Sequence, residues 1–291
     1  MYSSDSRTAL PRVMMMRLAK RIWNRLFEEL AVGLARVEGV FFPYAPVSLV
    51  TAANHAYFVP LKRLLRTVYQ YEAAHVERVI VYDLGFTPPQ VEYLCAAYPK
   101  LLVRSFDLSN EVPWASMDQN AGGFYAWKPL IIARVLEEFG TDVIWADSSI
   151  VIRRPLLRIR KTLRRRGLYT SFWVGKSIRD ATDERTISVL NAHDESRLPM
   201  LVASLVGVSR AHATVHTLVE EWVRCCIDPN INNPQGATVA THKGDQSVLS
   251  ILAYRNGLVR RQLKRNDSIR LDFFIQNDRK TMFVDVEQDA N

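Results

Sequence analysis

The sequence predicts an α/β protein: a mostly parallel central sheet flanked by helices, with an amphipathic helix at the N-terminus. Two observations predict it. Short, fully apolar runs alternate with segments of helical period, at spacings that suit crossover helices between parallel strands. Most of the apolar runs of the first half end on polar residues, the pattern of strands whose carboxyl ends open onto a ligand crevice. Composition agrees: 291 residues, 48% hydrophobic and 23% charged, are enough for a sizeable core. One large domain is expected over 43–291, preceded by a helical segment over 1–42.

Residues 13–37 carry Leu18, Ile22, Leu26, Leu30 and Leu34 on one helical stripe. Such a helix packs on a domain or lies on a membrane surface. Met14–Met16 are followed at once by Arg17, Lys20 and Arg21, the wrong order for a signal peptide, and no apolar run reaches the ~18 residues of a spanning helix. After Pro43 and Pro46, Val47–Ala53 is the first strand. A helix from near Pro60 buries Leu61, Leu64, Leu65 and Val68, and Val79–Tyr82 is the second strand, ending at Asp83.

Thr87, Pro88 and Gln90 form a helix start with a capping box, with Val91, Leu94, Cys95 and Tyr98 as the buried face. Leu101–Phe106 is the third strand. A looser stretch, 108–124, leads to Tyr125-Ala126-Trp127-Lys128-Pro129 and a helix over 129–139, stopped by Gly140. Val143–Ala146 is the fourth strand, and it delivers Asp147.

The second half is less regular. Strands are expected at Tyr169–Val174 and Leu201–Val208, and short or longer helices at Asp183–Ala192, from Ser209 as cap to about Cys226, and at Asp245–Arg255. A loop covers 228–244, and edge strands are expected at Ile269–Ile275 and Met282–Val286. No internal repeat is present.

The net charge is +8, and much of it sits in Arg153, Arg154, Arg158, Arg160, Lys161, Arg164, Arg165 and Arg166. Leu156, Ile159 and Leu163 make this a helix with one apolar stripe and a solvated basic face; attraction to an anionic polymer or membrane is the alternative. Nucleic acid is disfavoured as partner, because no aromatic residue interleaves the cluster. Three cysteines, Cys95, Cys225 and Cys226, without Cys-x-x-Cys spacing, give neither a zinc site nor a disulfide framework.

If the sheet is parallel, Thr51, Asn54, Asp83 and Asp147 all lie toward one side of it. Strand-end acids suit ribose hydroxyls or a base edge. A lone acid after an apolar strand suits a hard divalent cation, since Mg²⁺ and Mn²⁺ take one or two protein carboxylates plus phosphate oxygens. No Gly-x-Gly-x-x-Gly follows the first strand and no P-loop is present, so NAD-type and P-loop chemistry are disfavoured.

Five segments, Thr51-Ala52-Ala53-Asn54-His55, Val79–Gly85, Tyr125–Ala133, Trp145-Ala146-Asp147-Ser148-Ser149-Ile150 and His242-Lys243-Gly244-Asp245-Gln246-Ser247, together resemble the GT-A-fold nucleotide-diphospho-sugar transferases. Within that superfamily they resemble a metazoan branch with Asp-Ser-Ser in place of the Asp-x-Asp motif. The resemblance implies a Rossmann-like GT-A fold and metal-assisted transfer of a sugar from a nucleotide-sugar donor to a glycan or protein acceptor. Thr51, Asn54, Asp83 and Lys128 would bind the donor nucleotide and its phosphates. Asp147, Ser149 and His242 would hold Mn²⁺ or Mg²⁺, with Asp245 and Gln246 as candidate catalytic residues. It also implies work in the secretory pathway (the Golgi). Ser149, a hydroxyl where the motif has a carboxylate, is a weaker metal ligand. The alternative is a non-catalytic nucleotide- or carbohydrate-binding protein of the same fold.

Overall fold

A computed structural model describes residues 9–115, 124–259 and 273–275. Residues 116–123 of the looser stretch, the Met282–Val286 strand and the start of the Ile269–Ile275 strand lie outside these residues. The chain divides into two units between Tyr44 and Ala45. In the first, α1 (Ala9–Phe41) is a single helix of 33 residues. The Tyr44 hydroxyl donates to the Ala35 carbonyl at 2.7 Å, closing its C-terminal end. Leu18, Ile22, Leu26, Leu30 and Leu34 are all exposed. Among the described residues no helix is long and apolar enough to cross a membrane.

The second unit runs β1 (Val47–Ala53), α2 (Phe58–Tyr71), β2 (Arg78–Asp83), α3 (Pro88–Ala97), β3 (Leu101–Ser105), α4 (Leu108–Glu111), α5 (Trp127–Phe139), β4 (Asp142–Ala146), β5 (Ile150–Ile152) and α6 (Leu157–Arg166). It continues through β6 (Leu168–Ser177), α7 (Glu184–Val189), β7 (Pro199–Val208), α8 (Ala213–Ile227), α9 (Pro229–Asn232), α10 (Asp245–Arg255) and β8 (Phe273–Ile275). The main sheet has the order β3-β2-β1-β4-β7-β6. Its first four strands are mutually parallel; β7 runs antiparallel to them, and β6 pairs antiparallel with β7 and so runs parallel to the first four. The chain builds outward from β1 to β3, then returns to place β4 on the other side of β1. The sheet therefore reverses direction of growth between β1 and β4, and open α/β sheets bind ligands at such a switch point, beyond the carboxyl ends of the strands.

Both faces are covered, which is why the parallel strands read as unbroken apolar runs. Val50, Ala52, Ile80, Tyr82, Val143 and Trp145 pack toward α5, α8 and α10. Their alternates Leu49, Ala53, Val79, Val81, Ile144 and Ala146 pack toward α2, α3 and α6. Gly140 ends α5 in the left-handed region at φ 63°, and Gln90 Oε1 accepts the Thr87 backbone N–H at 3.0 Å in the expected capping arrangement.

Several local expectations are corrected. Ser209 does not cap α8: its hydroxyl is bonded to the buried Asp142 carboxylate at 2.9 Å, and the helix starts four residues later. On α3 only Leu94 is buried; Cys95 is exposed, because α3 covers the edge strand β3 and has sheet beneath one line of side chains. The loop over 228–244 contains the short helix α9. The described tail strand, β8, pairs with β5 in a separate two-stranded sheet and adds nothing to the edge of the main one. The basic segment is not simply a solvated face. Leu156, Ile159 and Leu163 are buried as expected, but so are Arg158 and Arg160. Arg160 pairs with the fully buried Glu72 at 3.1 Å, and a second oxygen of Glu72 accepts the Leu156 backbone N–H.

Candidate functional site

Three charged side chains from three elements converge at the carboxyl end of β4. Lys128, in the first turn of α5, is 2% exposed. Its Nζ lies 3.2 Å from Asp147 Oδ1 and 3.0 Å from Asp245 Oδ2, and donates to the Ala203 carbonyl at 3.1 Å. Asp147 continues the alternation of Val143 and Trp145, so it falls on the α5 face of the sheet. The Trp145 indole donates to Asp147 Oδ1 at 2.7 Å. Asp245 opens α10, where a carboxylate gains from the helix dipole; it is 1% exposed. The contact from Asp245 Oδ2 to Lys128 is close, yet it is not a well-directed hydrogen bond. It is an ion pair held by position.

Aromatic rings line the cation. The Tyr125 and Trp145 ring centroids lie 5.1 and 5.8 Å from Lys128 Nζ, and Trp127 packs against Trp145. The ring quadrupoles favour a cation there. Burial works against the ammonium, but Asp147 and Asp245 outweigh it and hold the lysine pKa above its usual value. The Asp245 carboxyl is pushed up to about 7 by its burial; Lys128 pulls it down and Asp147 pushes it up again.

The backbone that seats this cluster is unusual. Phe124 and Tyr125 have φ of 40° and 58°, positive values that few residues other than glycine adopt. Their turn aims α5 at the site, and the Phe124 carbonyl accepts the Asp245 backbone N–H at 3.2 Å. Gly244 sits against it at φ 48°, and a Cβ there would lie 2.3 Å from Phe124 Cβ and 2.5 Å from its carbonyl oxygen. Gly244→Ala therefore adds both a backbone penalty and a clash. The expected loss is about 2–3 kcal/mol in chemical denaturation; a loss under ~0.5 kcal/mol would show that the turn is free to shift.

The other expected residues divide. Asn54 and Asp83 come together at the ends of β1 and β2, where the His55 N–H bonds the Gly85 carbonyl at 3.0 Å. Asp83 Oδ1 accepts the Gly85 and Phe86 N–H groups at 2.7 and 2.6 Å, so one oxygen closes the turn. Asn54 Oδ1 is buried without a hydrogen-bond partner, an acceptor left open beside the switch point. Gln246 is half-buried, its Oε1 accepting the Ala203 N–H at 3.4 Å. Thr51 is not brought to the site: it is fully buried and alternates with Leu49 and Ala53 onto the α2 face, away from Lys128.

The metal set expected from the motif is not assembled as a cage. Among the described residues no three or more His, Cys, Asp or Glu side chains could jointly hold an ion. His242 is buried, and its Nδ1 accepts the Asp183 backbone N–H at 3.3 Å. A neutral ring so bonded carries its proton on Nε2 and has no lone pair left for a metal. Ser149 lies with Ser148 in the turn closed by the Ile150 N–H to the Asp147 carbonyl at 2.9 Å. What does fit is a phosphate-completed site. Lys128 offers one positive charge to two carboxylates, and Asp147, at 29% side-chain exposure, is the one that reaches solvent. One carboxylate plus substrate phosphates is the mode Mg²⁺ and Mn²⁺ use when no protein cage exists.

Burial lowers the His242 pKa to about 4, while the nearby Asp183 carboxylate and the Asn232 backbone pull it upward. His242 and Asp245 then oppose each other. From about pH 4 to 7 folding takes up a proton at Asp245, so its contribution to stability falls as pH rises. From about pH 6.5 down to 4 the unfolded chain takes up a proton that folded His242 refuses, so that contribution falls as pH drops. The two slopes oppose each other over pH 4–6.5. In His242→Gln the Asp245 slope stands alone, and stability should decline with rising pH by about 1 kcal/mol per unit relative to wild type. Urea midpoints at stepped pH measure it; parallel profiles would count against the assignment.

Sequence reasoning did not find the partners of this site. Trp145, which orients Asp147, reads as core. Ala203 and Ser204 on β7 supply backbone bonds to Lys128, Gln246 and Asp147. Trp222 on α8 donates to the Asp245 carbonyl at 2.8 Å. No sequence signal marks any of these as site residues, since each acts through the main chain or from within an apolar run.

Among solved structures, the chain is similar to the bifunctional glycosyltransferase WbbM in its apo form, with a TM-score of 0.50 and 13% identity over 73% of this chain and 38% of that one. The fold is shared with a glycosyltransferase. At this identity the likeness speaks for the fold alone, and the chain spans well under half of the WbbM structure. It agrees with the GT-A-like architecture expected from the strand-end segments. The galactosyltransferase LgtC, in complex with donor and acceptor sugar analogues, aligns with a TM-score of 0.49 and 15% identity over 70% of each chain. No family model matches the sequence, and no curated protein matches it.

Proposed function

We propose that the protein transfers a sugar from a nucleotide-diphosphate donor to an acceptor hydroxyl on a glycan or protein. The observation that carries this reading is the buried Lys128 between Asp147 and Asp245, at the switch point of a fold shared with a glycosyltransferase. Such a site would suit an anionic leaving group once a divalent ion on Asp147 offsets the second carboxylate. The first turns of α5 and α10 both meet there, and helix N-termini favour phosphate. The ammonium is fixed in place before the donor arrives. Lys128, with its ammonium spent on Asp147, Asp245 and the Ala203 carbonyl, would hold Asp147 oriented toward the diphosphate.

Asn54 and Asp83, at the neighbouring strand ends, would take the nucleoside. Asp245, 1% exposed and paired with Lys128, would act from behind the site, setting the charge and position of Lys128 without touching the acceptor. Gln246 follows it on α10 and suits hydrogen bonding to the donor sugar. Asp147, with Ser149 in the same turn, would hold a divalent ion, and that ion would add Lewis-acid charge at the diphosphate.

A second reading is favoured by Ser149. With a hydroxyl in place of the motif's second carboxylate, the same crevice binds a nucleotide sugar without turning it over. A panel of nucleotide sugars, each with and without Mn²⁺, tests the shared part of both readings. A true donor at about 100 times its Kd stabilises the fold by about 2.7 kcal/mol. Release of free nucleoside diphosphate then separates enzyme from binding protein. No stabilisation by any donor would remove both.

A further inference from the structure

We infer that α1 is an interfacial helix that docks the protein on anionic lipid surfaces. Among the described residues, one apolar side of this helix is exposed: Leu18 57%, Ile22 53%, Trp23 71%, Leu26 62% and Leu30 61%. At ~100° per residue these positions share an arc of about half the helix circumference. Single exposed apolar residues are ordinary, but a continuous apolar face of this length marks an interaction surface.

The charge pattern says what covers it. Residues 13–30 contain Arg17, Lys20, Arg21 and Arg25 against Glu28 and Glu29, so the stretch is net basic, with Glu29 near the Leu18–Ile22 edge of the apolar arc. Lys20 and Arg25 are exposed and fall at the two margins of the apolar arc. Cations flanking a broad apolar face, with Trp23 in it, are the chemistry of a helix lying in the headgroup region. A second protein chain would have to bury the same face against side chains. A second copy of this chain would set this net basic stretch against itself, whereas an anionic surface matches it. No helix among the described residues has the length and apolarity to cross a bilayer, so the contact is with the surface.

The full-length protein should sediment with vesicles of phosphatidylcholine containing 30% phosphatidylserine, and bind pure phosphatidylcholine at least 10-fold more weakly. Each basic residue near an anionic surface contributes a factor of roughly 5, so Lys20→Gln/Arg25→Gln should weaken binding about 30-fold. Leu26→Glu/Leu30→Glu should abolish it. The thermal transition of both variants should match wild type, because these residues lie outside the sheet core; a variant with a shifted transition is replaced by Ile22→Gln, read the same way. Failure to bind the anionic vesicles would overturn the inference. So would undiminished binding by Leu26→Glu/Leu30→Glu. So would a concentration-dependent wild-type dimer that this variant converts to monomer, since the face would then be covered by a second copy.

Discussion

Lys128→Met destabilises the fold by about 3–5 kcal/mol, the cost of stripping a buried charge of its counter-ion. Methionine keeps most of the apolar stem, so packing changes little. What changes is electrostatic. Asp245 is left 1% exposed without the Lys128 cation that pairs with it. Lysine is the group that holds the Asp245 pKa down against burial, so without it the carboxyl keeps its proton above pH 7. That protonation caps the loss. The double variant Lys128→Met/Asp245→Asn removes the stranded charge as well and should recover about 2 kcal/mol of it. Thermal denaturation of the two singles and the double measures the coupling. A single-variant loss under ~1 kcal/mol, or no recovery in the double, would mean that the pair does not bear on stability.

Asp147→Ala has the larger effect on chemistry. Its carboxylate is partly exposed, so the fold loses only the Trp145 and Lys128 contacts, at a cost of about 1–2 kcal/mol. Turnover of the best donor should fall at least ~100-fold, equivalent to ~2.7 kcal/mol of lost transition-state stabilisation. Trp145→Phe, which keeps the ring but removes the indole donor, should give a milder loss through misorientation of Asp147. Unchanged turnover in Asp147→Ala would remove the residue from the mechanism.

How far this site is legible in the sequence depends on the range of the interaction. Strands β1 to β4 are readable because each is a short apolar run buried on both faces, and the sheet then carries Asp147, Asn54 and Asp83 to one edge by direction alone. The start of α3 and the end of α5 are readable because capping chemistry is local. The reversed direction of β7 between β4 and β6 is not, since an apolar run does not encode which way it runs. Nor is the Lys128–Asp245 pair: neither periodicity nor spacing links residues on two distant helices. The turn at Phe124-Tyr125 is hidden for another reason. Its positive φ angles fall on aromatic residues, where sequence rules look for glycine. Thr51 shows the converse error, a polar residue in the right strand but on the wrong face by one position.

Arg160 carries the same lesson for charge. A basic run suggests an anionic partner, yet Glu72 neutralises one of its members inside the protein, and the electrostatic footprint shrinks accordingly.

Calorimetric titration of UDP and GDP into the wild-type protein and Asp147→Ala, with and without Mn²⁺, tests the central claim most directly. One nucleotide should bind wild type at least 10-fold more tightly with Mn²⁺ present, and Asp147→Ala should abolish this gain. Binding that is indifferent to both the ion and Asp147, or no binding of either nucleotide, would contradict it.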